Sequence, residues 1–274
     1  MKKKLIFKRL LCLCLALILL AVWIYNNFFI VLNDVTLTHS KAEDEIRIVL
    51  ISDLHLSFYS DTDEILTMTK DAEPDLIFIL GDMYSRKLTS KIDNVAEFLN
   101  NLSGISEVYT VTGDHDYDEE YKESIRNLPN VHLLEYDYTD ITIKNNDLRI
   151  YGINNVYFTK TFDLHNEFDD LPENKINILL SHIPSMSSYG DFGFDYIFCG
   201  DTHGGLMRFP VIGSIYFDGY ILPEITYDQL ITDKGLYEFE KTSLFVTSGV
   251  GHYPVPLRFN NKPEICLIKI KGEQ

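Results

Sequence analysis

Five short apolar runs in this chain each lead into a loop rich in metal-binding side chains, and that recurrence constrains the fold more than any other feature. Ile48-Val49-Leu50-Ile51 precedes Asp53-Leu54-His55, and Leu76-Ile77-Phe78-Ile79-Leu80 precedes Gly81-Asp82. Val108-Tyr109-Thr110-Val111 precedes Gly113-Asp114-His115-Asp116. Ile176-Asn177-Ile178-Leu179-Leu180 precedes Ser181-His182, and Tyr196-Ile197-Phe198-Cys199 precedes Gly200-Asp201-Thr202-His203. A continuous apolar run that stops at Gly, Asp or Ser reads as a buried strand running out into a loop. Strands of one sheet end side by side, so five such loops gather their carboxylates and imidazoles at one edge. In open α/β sheets that edge is where ligands bind. A lone Gly-Asp pair is more often a turn, and a lone His after a strand is more often structural. Five together outline a two-metal site.

The segments between the loops support a parallel sheet. Ser60-Asp61 offers an N-cap to a helix through about residue 70, and Pro74 closes the connection to the second strand. Residues 91–102 place Ile92, Val95, Ala96 and Leu99 on one helical face, and residues 119–128 form a short helix stopped by Pro129. Strand, helix, strand, helix, strand is the pattern of βαβ units. The second half differs. Residues 141–144 and 148–153 flank Asn145-Asn146-Asp147 as a hairpin, and further strands are expected over 215–217, 236–239, 244–247 and 265–270. The sum is two packed mixed sheets flanked by helices in one domain.

Residues 10–32 form a 23-residue stretch without charge, interrupted only by Asn26 and Asn27. A helix needs about 20 apolar residues to cross a bilayer core. A cleaved signal peptide wants an apolar core of about 7–15 residues followed by a small-x-small site, whereas this one runs on through Val22-Trp23-Ile24-Tyr25. Lys2, Lys3, Lys4, Lys8 and Arg9 precede it and place the N-terminus in the cytoplasm. The expected order is a basic cytoplasmic tail (1–9), a single-pass anchor in the cell membrane (10–32), a polar tether (33–45) and an extracytoplasmic domain (46–274). Past the anchor the chain carries 19 basic against 41 acidic residues, a net charge of −22. Such a surface repels polyanions, which excludes nucleic acid as a partner. Cys199 and Cys266 fall in strand-like runs and read as buried thiols or as one disulfide. No CxxC spacing exists, so a structural zinc site is not expected.

Two divalent ions about 3.5–4 Å apart can hold a phosphoryl group and generate hydroxide between them. Such a pair needs a bridging carboxylate and mixed imidazole and oxygen ligands, which the five loops offer. At this point the residues resemble a known family. Asp53-x-His55, Gly81-Asp82, Gly113-x-His115-Asp116, His182 and Gly200-x-x-His203 match, in order and spacing, the motifs of calcineurin-like metallophosphoesterases over about residues 46–270. Ser181-His182-Ile183-Pro184, Thr202-His203-Gly204-Gly205 and Pro256-x-Arg258-Phe259-Asn260-Asn261 look like the bacterial membrane-anchored, YaeI-like phosphodiesterase branch. The resemblance implies a four-layer α/β/β/α sandwich. It also implies that Asp53, His55, Asp82 and His203 bind a first metal, with Asp82 bridging to a second held by Asp114, His182 and Asp201. His115 would contact the phosphate oxygen or leaving group, and Asp116 would orient the His115 imidazole.

Two positions depart from the family, which has Asn in place of Asp114 and His in place of Asp201. The shell becomes four aspartates and three histidines, formally −4 against +4 from two divalent ions. More oxygen and less nitrogen favours Mn²⁺, with Mg²⁺, Fe or Zn²⁺ as alternatives. A more neutral site suits a monoanionic diester or a pyrophosphate better than a dianionic monoester. The expected protein is therefore a metal-dependent phosphoesterase acting on a phosphodiester or pyrophosphate, lipid-linked or envelope-derived. The competing class is a degenerate member that binds metal or ligand without turnover. His115 separates the two, because binding alone needs no acid–base group. Tyr84, Phe158, Phe162, Tyr189, Phe192 and Phe194 are candidate groove aromatics.

Overall fold

The computed structural model describes residues 2–56, 60–86, 88–154, 163–185, 189–217, 219–226, 231–253 and 255–273. A long helix, α1 (Lys2–Phe28), leads into β1 (Val31–Thr38) and β2 (Ile46–Ile51). Helices α2 (Thr62–Asp71), α3 (Ile92–Ser103) and α4 (Glu119–Arg126) then alternate with β3 (Leu76–Ile79), β4 (Glu107–Thr110) and β5 (Val131–Leu133). The hairpin β6 (Asp137–Ile143) and β7 (Asn146–Ile153) follows, then β8 (Ile176–Ser181) and β9 (Tyr196–Cys199). Two ribbons, β10 (Arg208–Phe209) with β11 (Gly213–Ser214) and β12 (Tyr216–Phe217) with β13 (Tyr220–Ile221), precede β14 (Gly235–Phe239), β15 (Thr242–Val246) and β16 (Glu264–Lys271).

The six-stranded first sheet runs β1-β16-β2-β3-β4-β5, and the six-stranded second runs β14-β15-β9-β8-β7-β6. In the first, β2 to β5 are mutually parallel while β16 lies antiparallel to β2. In the second, β7, β8, β9 and β15 are parallel, and β6 and β14 close the edges antiparallel. Both sheets are mixed, as the two halves of the sequence suggested.

Side-chain alternation decides how the layers pack. Ile48 and Leu50 of β2 join Phe78, Ile178, Leu180 and Phe198 in the core between the sheets. Val49 and Ile51 point the other way, with Ile77 and Ile79, onto Ile65, Val95, Phe98, Leu99 and Ile125 of the helices. A strand buried on both faces needs apolar residues at every position, which is why these runs are continuous. On the far face of the second sheet, Tyr151, Leu179, Ile197 and Val246 pack on Leu164, Phe168, Tyr189 and Phe194. The fourth layer, among the described residues, is thus made of the short turns Leu164–Asn166 and Gly190–Phe192 and their aromatics. Cys199 and Cys266 are both buried free thiols.

Three expectations need correction. The polar segment 33–45 is not simply a tether: Val31–Thr38 pairs with Glu264–Lys271 in parallel register as the edge of the first sheet. Its outward positions carry Asp34, Thr36 and Thr38, so an edge strand looks like linker. The apolar segment is not independent of the domain either, because its last turn is bonded to it. Trp23 Nε1 donates to Pro256 O at 2.8 Å, and Asn27 Nδ2 donates to Arg258 O at 3.0 Å. Finally, Asn146 pairs with Ile143, so the hairpin turn is Lys144-Asn145, with Lys144 at φ 54°.

Candidate metal centre and its rim

The parallel strands β2, β3, β4, β8 and β9 deliver their following loops to one place. Backbone bonds tie loop to loop: Asp53 N–H donates to Gly81 O at 3.0 Å, His55 N–H to Asp82 O at 2.9 Å, and Gly200 N–H to His182 O at 2.9 Å. All seven expected ligands and His115 converge. Their side-chain atoms form overlapping groups: Asp53, His55 and His203; His55, Asp82 and His115; Asp53, Asp82 and His182; Asp114, His182 and Asp201. Within each group the ligand atoms lie within 4.8 Å of one another.

Asp82 sits in the middle. Its Oδ2 is 3.4 Å from His55 Nε2 and 3.6 Å from His182 Nε2, while Oδ1 accepts from His115 N–H at 2.9 Å. His182 Nε2 also lies 3.6 Å from Asp114 Oδ1 and 3.7 Å from Asp201 Oδ1. The His182 Nδ1 proton goes to Leu80 O at 2.7 Å, which fixes the tautomer and turns the Nε2 lone pair toward the carboxylates. Across Asp82, His55 Nε2 and His203 Nε2 face each other at 3.2 Å.

The backbone here is bent against its preferences. Asp53, His55, Asp82, Asp201 and His203 all have positive φ, between 45° and 69°. Non-glycine residues held there cost on the order of 1–3 kcal/mol each and persist only where the surroundings over-determine them. Close approach adds a second demand: a Cβ on Gly113 would fall 2.1 Å from Asp82 Oδ1.

The residues fit a pair of cations. Asp53 Oδ2 and His182 Nε2 are buried without a hydrogen-bond partner. Burial holds His55 and His203 well below the usual histidine range, so both are neutral imidazoles with lone pairs to give. Burial also raises Asp53, and it raises Asp201 to about 7 against the pull of His182. Carboxylates crowded in this way ionise readily only beside positive charge. Asp114 differs, because the His182 imidazole, 3.6 Å from its Oδ1, holds it at about 2.

Asp116 does not orient His115. Its Oδ1 accepts from Gly113 N–H at 2.6 Å and its Oδ2 from Met83 N–H at 2.7 Å, so it locks two of the ligand loops together. The His115 ring instead accepts a long hydrogen bond from Arg86 N–H at Nδ1, 3.4 Å, which leaves the proton on Nε2. That nitrogen lies 3.9 Å from Asp114 Oδ2.

A sixth loop, after β15, completes the rim. Tyr253 stacks on His55 (ring centroids 4.6 Å, 23°) and meets His115 edge-on at 4.5 Å. Arg258 is buried and donates to the carbonyls of Ser248, Gly249 and Gly251, holding that loop against Asp53. Asn261 Nδ2 donates to His203 O at 2.7 Å. The signal was present: 244–247 is an apolar run followed by Ser248-Gly249-Val250-Gly251-His252. Of the candidate groove aromatics, Tyr84, Tyr189 and Phe194 are fully buried packing residues. Phe192 is partly buried against them, and Phe158 and Phe162 lie outside the described residues.

Residues 46–205 match the calcineurin-like phosphoesterases. The chain belongs to that family and is a metal-dependent phosphoric ester hydrolase of a class that binds two divalent metals. Among its relatives are two uncharacterized metallophosphoesterases of Bacillus subtilis. YkoQ is 27% identical over 239 residues (84% of this chain, 85% of the relative), and YkuE is 26% identical over 238 (84% and 80%). Solved structures of similar fold include an archaeal phosphodiesterase (11% identity, 76% of this chain and 87% of that one, TM-score 0.41). A 5'-nucleotidase precursor from Thermus thermophilus is another (12%, 74% and 48%, TM-score 0.46).

Proposed function

We propose that this protein hydrolyses phosphodiester or pyrophosphate bonds at the outer face of the cytoplasmic membrane, to which α1 anchors it. In this reading Asp53, His55, Asp82 and His203 hold one ion, and Asp82, Asp114, His182 and Asp201 hold the other. Manganese is the preferred ion for so oxygen-rich a shell. The carrying observation is Asp82 Oδ2, shared between His55 on one side and His182 on the other. When bound, the ions supply charge to neutralise the phosphoryl oxygens and to acidify water.

The chain's own residues do the rest. Asp82 fixes the backbone of His115, and Arg86 fixes its tautomer, so a proton stands ready at Nε2. As water adds to phosphorus it gives up one proton and the bond to the leaving oxygen breaks; that oxygen, steadied by a hydrogen bond from His115 Nε2–H, ends with the proton the water has lost, and the imidazole stays neutral. One water is consumed and one ester bond is lost. Tyr253 covers a ring face of His55 and meets His115 edge-on, limiting the water that reaches them.

Retention of α1 as an anchor is supported by its length, its hydropathy and its bonds to the domain. A cleaved leader has no use for side-chain contacts to the mature fold. The test is turnover of a chromogenic phosphodiester by the full-length chain in lipid nanodiscs, after chelation and return of single metals. Hydrolysis restored best by Mn²⁺ is expected. A folded sample inert with every metal would leave a metal-binding protein without this activity.

A further inference from the structure

Beside the metal centre runs an apolar groove of about 430 Å³. His203 and Tyr253 form the part of its wall that belongs to the centre, and Leu206, Met207, Ile215, Tyr216, Phe217 and Leu257 form most of the remainder. Among the described residues no charged side chain lines it, the His203 imidazole being neutral. A groove intended for a nucleotide or a sugar phosphate would be lined with hydrogen-bonding groups instead.

The mouth is apolar as well. Met207 and Leu257 of the wall are exposed, Leu257 by 53%, and so are Val255 and Phe259 on the same loop, with Phe259 bridged to Met207. Contiguous apolar surface of this kind marks a partner or a bilayer, and the helix decides between them. Asn27 Oδ1 accepts from Arg258 N–H and Asn26 Oδ1 from Asn260 N–H, each at 2.8 Å, while Trp23 reaches Pro256. The loop carrying Val255, Leu257 and Phe259 is therefore bolted to the last turn of the apolar helix. Its exposed side chains stand where that helix leaves hydrocarbon, and Trp23 is the kind of residue found at that level.

We propose that the groove takes the hydrocarbon chain of a membrane lipid whose head group carries the scissile phosphodiester or pyrophosphate. The chain lies along Leu206, Met207, Phe217 and Leu257, and the head group reaches the ligands at His203. This rests on the phosphoesterase reading above and narrows its substrate.

The test uses full-length protein in nanodiscs with methyl, octyl and dodecyl p-nitrophenyl phosphate. Each methylene drawn out of water is worth about fourfold, so kcat/KM should rise at least about 100-fold from methyl to dodecyl. Partitioning into the bilayer raises the long esters for any membrane enzyme, so Leu257→Asp and Met207→Asp supply the decisive comparison. Both positions are well exposed and tolerate a charge in the fold. Each variant should cut the dodecyl-to-methyl ratio at least tenfold, whereas partitioning alone would leave it unchanged. A flat wild-type series, or a ratio that both variants keep, overturns the proposal while hydrolysis of the methyl ester upholds the phosphoesterase reading. Variants that keep the ratio but convert a dimer to a monomer assign the face to a second copy of the chain. If no ester is hydrolysed with any metal, the phosphoesterase reading fails. The same ratio, read as binding of dodecylphosphonate against methylphosphonate, then decides the groove.

Discussion

Asp82 and His115 are neighbours with separable jobs. Asp82→Ala should cost both metals, since one oxygen faces both ligand groups. His115→Ala should keep metal content and lower turnover by roughly 10²–10⁴-fold, the usual worth of a positioned acid–base group. Metal analysis showing equal loss in the two variants would contradict this division. The two unusual aspartates make a second case. Asp114→Asn with Asp201→His should move the best activating ion from Mn²⁺ toward Zn²⁺ or Co²⁺; an unchanged metal order would show that they do not tune the centre. The chelated protein has a predictable pH response as well. Burial raises Asp116 and Asp201 to about 7, against roughly 3.9 for an unfolded aspartate. Folded carboxylates that bind protons more tightly give stability that is full below the unfolded value and is lost as pH rises through the folded one. Without metal, then, the melting temperature should fall between about pH 4 and 7 and level off above. Adding Mn²⁺ at pH 7.5 should restore it, and a flat profile in chelator would refute the assignment. Much of this centre was legible because its ligands follow apolar runs. The role of Asp116 was not: which way a carboxylate turns depends on backbone N–H groups arriving from another loop, in this case that of Met83.

At the scale of elements, the buried strands announced themselves and the edge strand did not. Residues 48–51 are apolar throughout because both faces are covered, whereas Val31–Thr38 alternates and shows a largely polar face to solvent. Its presence in the sheet comes from pairing with β16, some 230 residues away in sequence, a contact no local pattern records. Of the ribbons between β9 and β14 the strand at Tyr216–Phe217 falls within the run expected over 215–217, and the others escaped for a different reason: strands of two residues have no periodicity to read. The pairing has a consequence for truncation. A chain beginning at residue 39 leaves the β16 edge unpaired and should melt lower, or aggregate through that edge. A chain beginning at residue 23 keeps both β1 and the bonds from Trp23, Asn26 and Asn27. Thermal unfolding of the two would decide, and equal melting temperatures would mean that β1 adds nothing.

Across the whole molecule, the apolar helix and the reactive centre are joined by a short series of contacts. Phe28 packs on His252 (ring centroids 5.5 Å), His252 bonds to Asn27 O, and Tyr253 lies on His55. Asn27→Ala removes both hydrogen bonds to the Arg258 backbone, a loss of roughly 1–3 kcal/mol for each buried group left unpaired. The rim loop should then open more often, and limited proteolysis should cut near residues 255–260 faster than in the parent. Cleavage at the parent rate would show that the loop holds itself. Only residues 29 and 30 separate α1 from β1. With α1 as the proposed anchor, so short a joint would leave the domain no arm on which to swing, and its working height over the bilayer would be set by the fold. Such an enzyme does not sample a volume. Held in that way it would patrol a film, meeting at high effective concentration whatever is confined to the same two dimensions and leaving phosphoesters dissolved a few nanometres above it largely untouched.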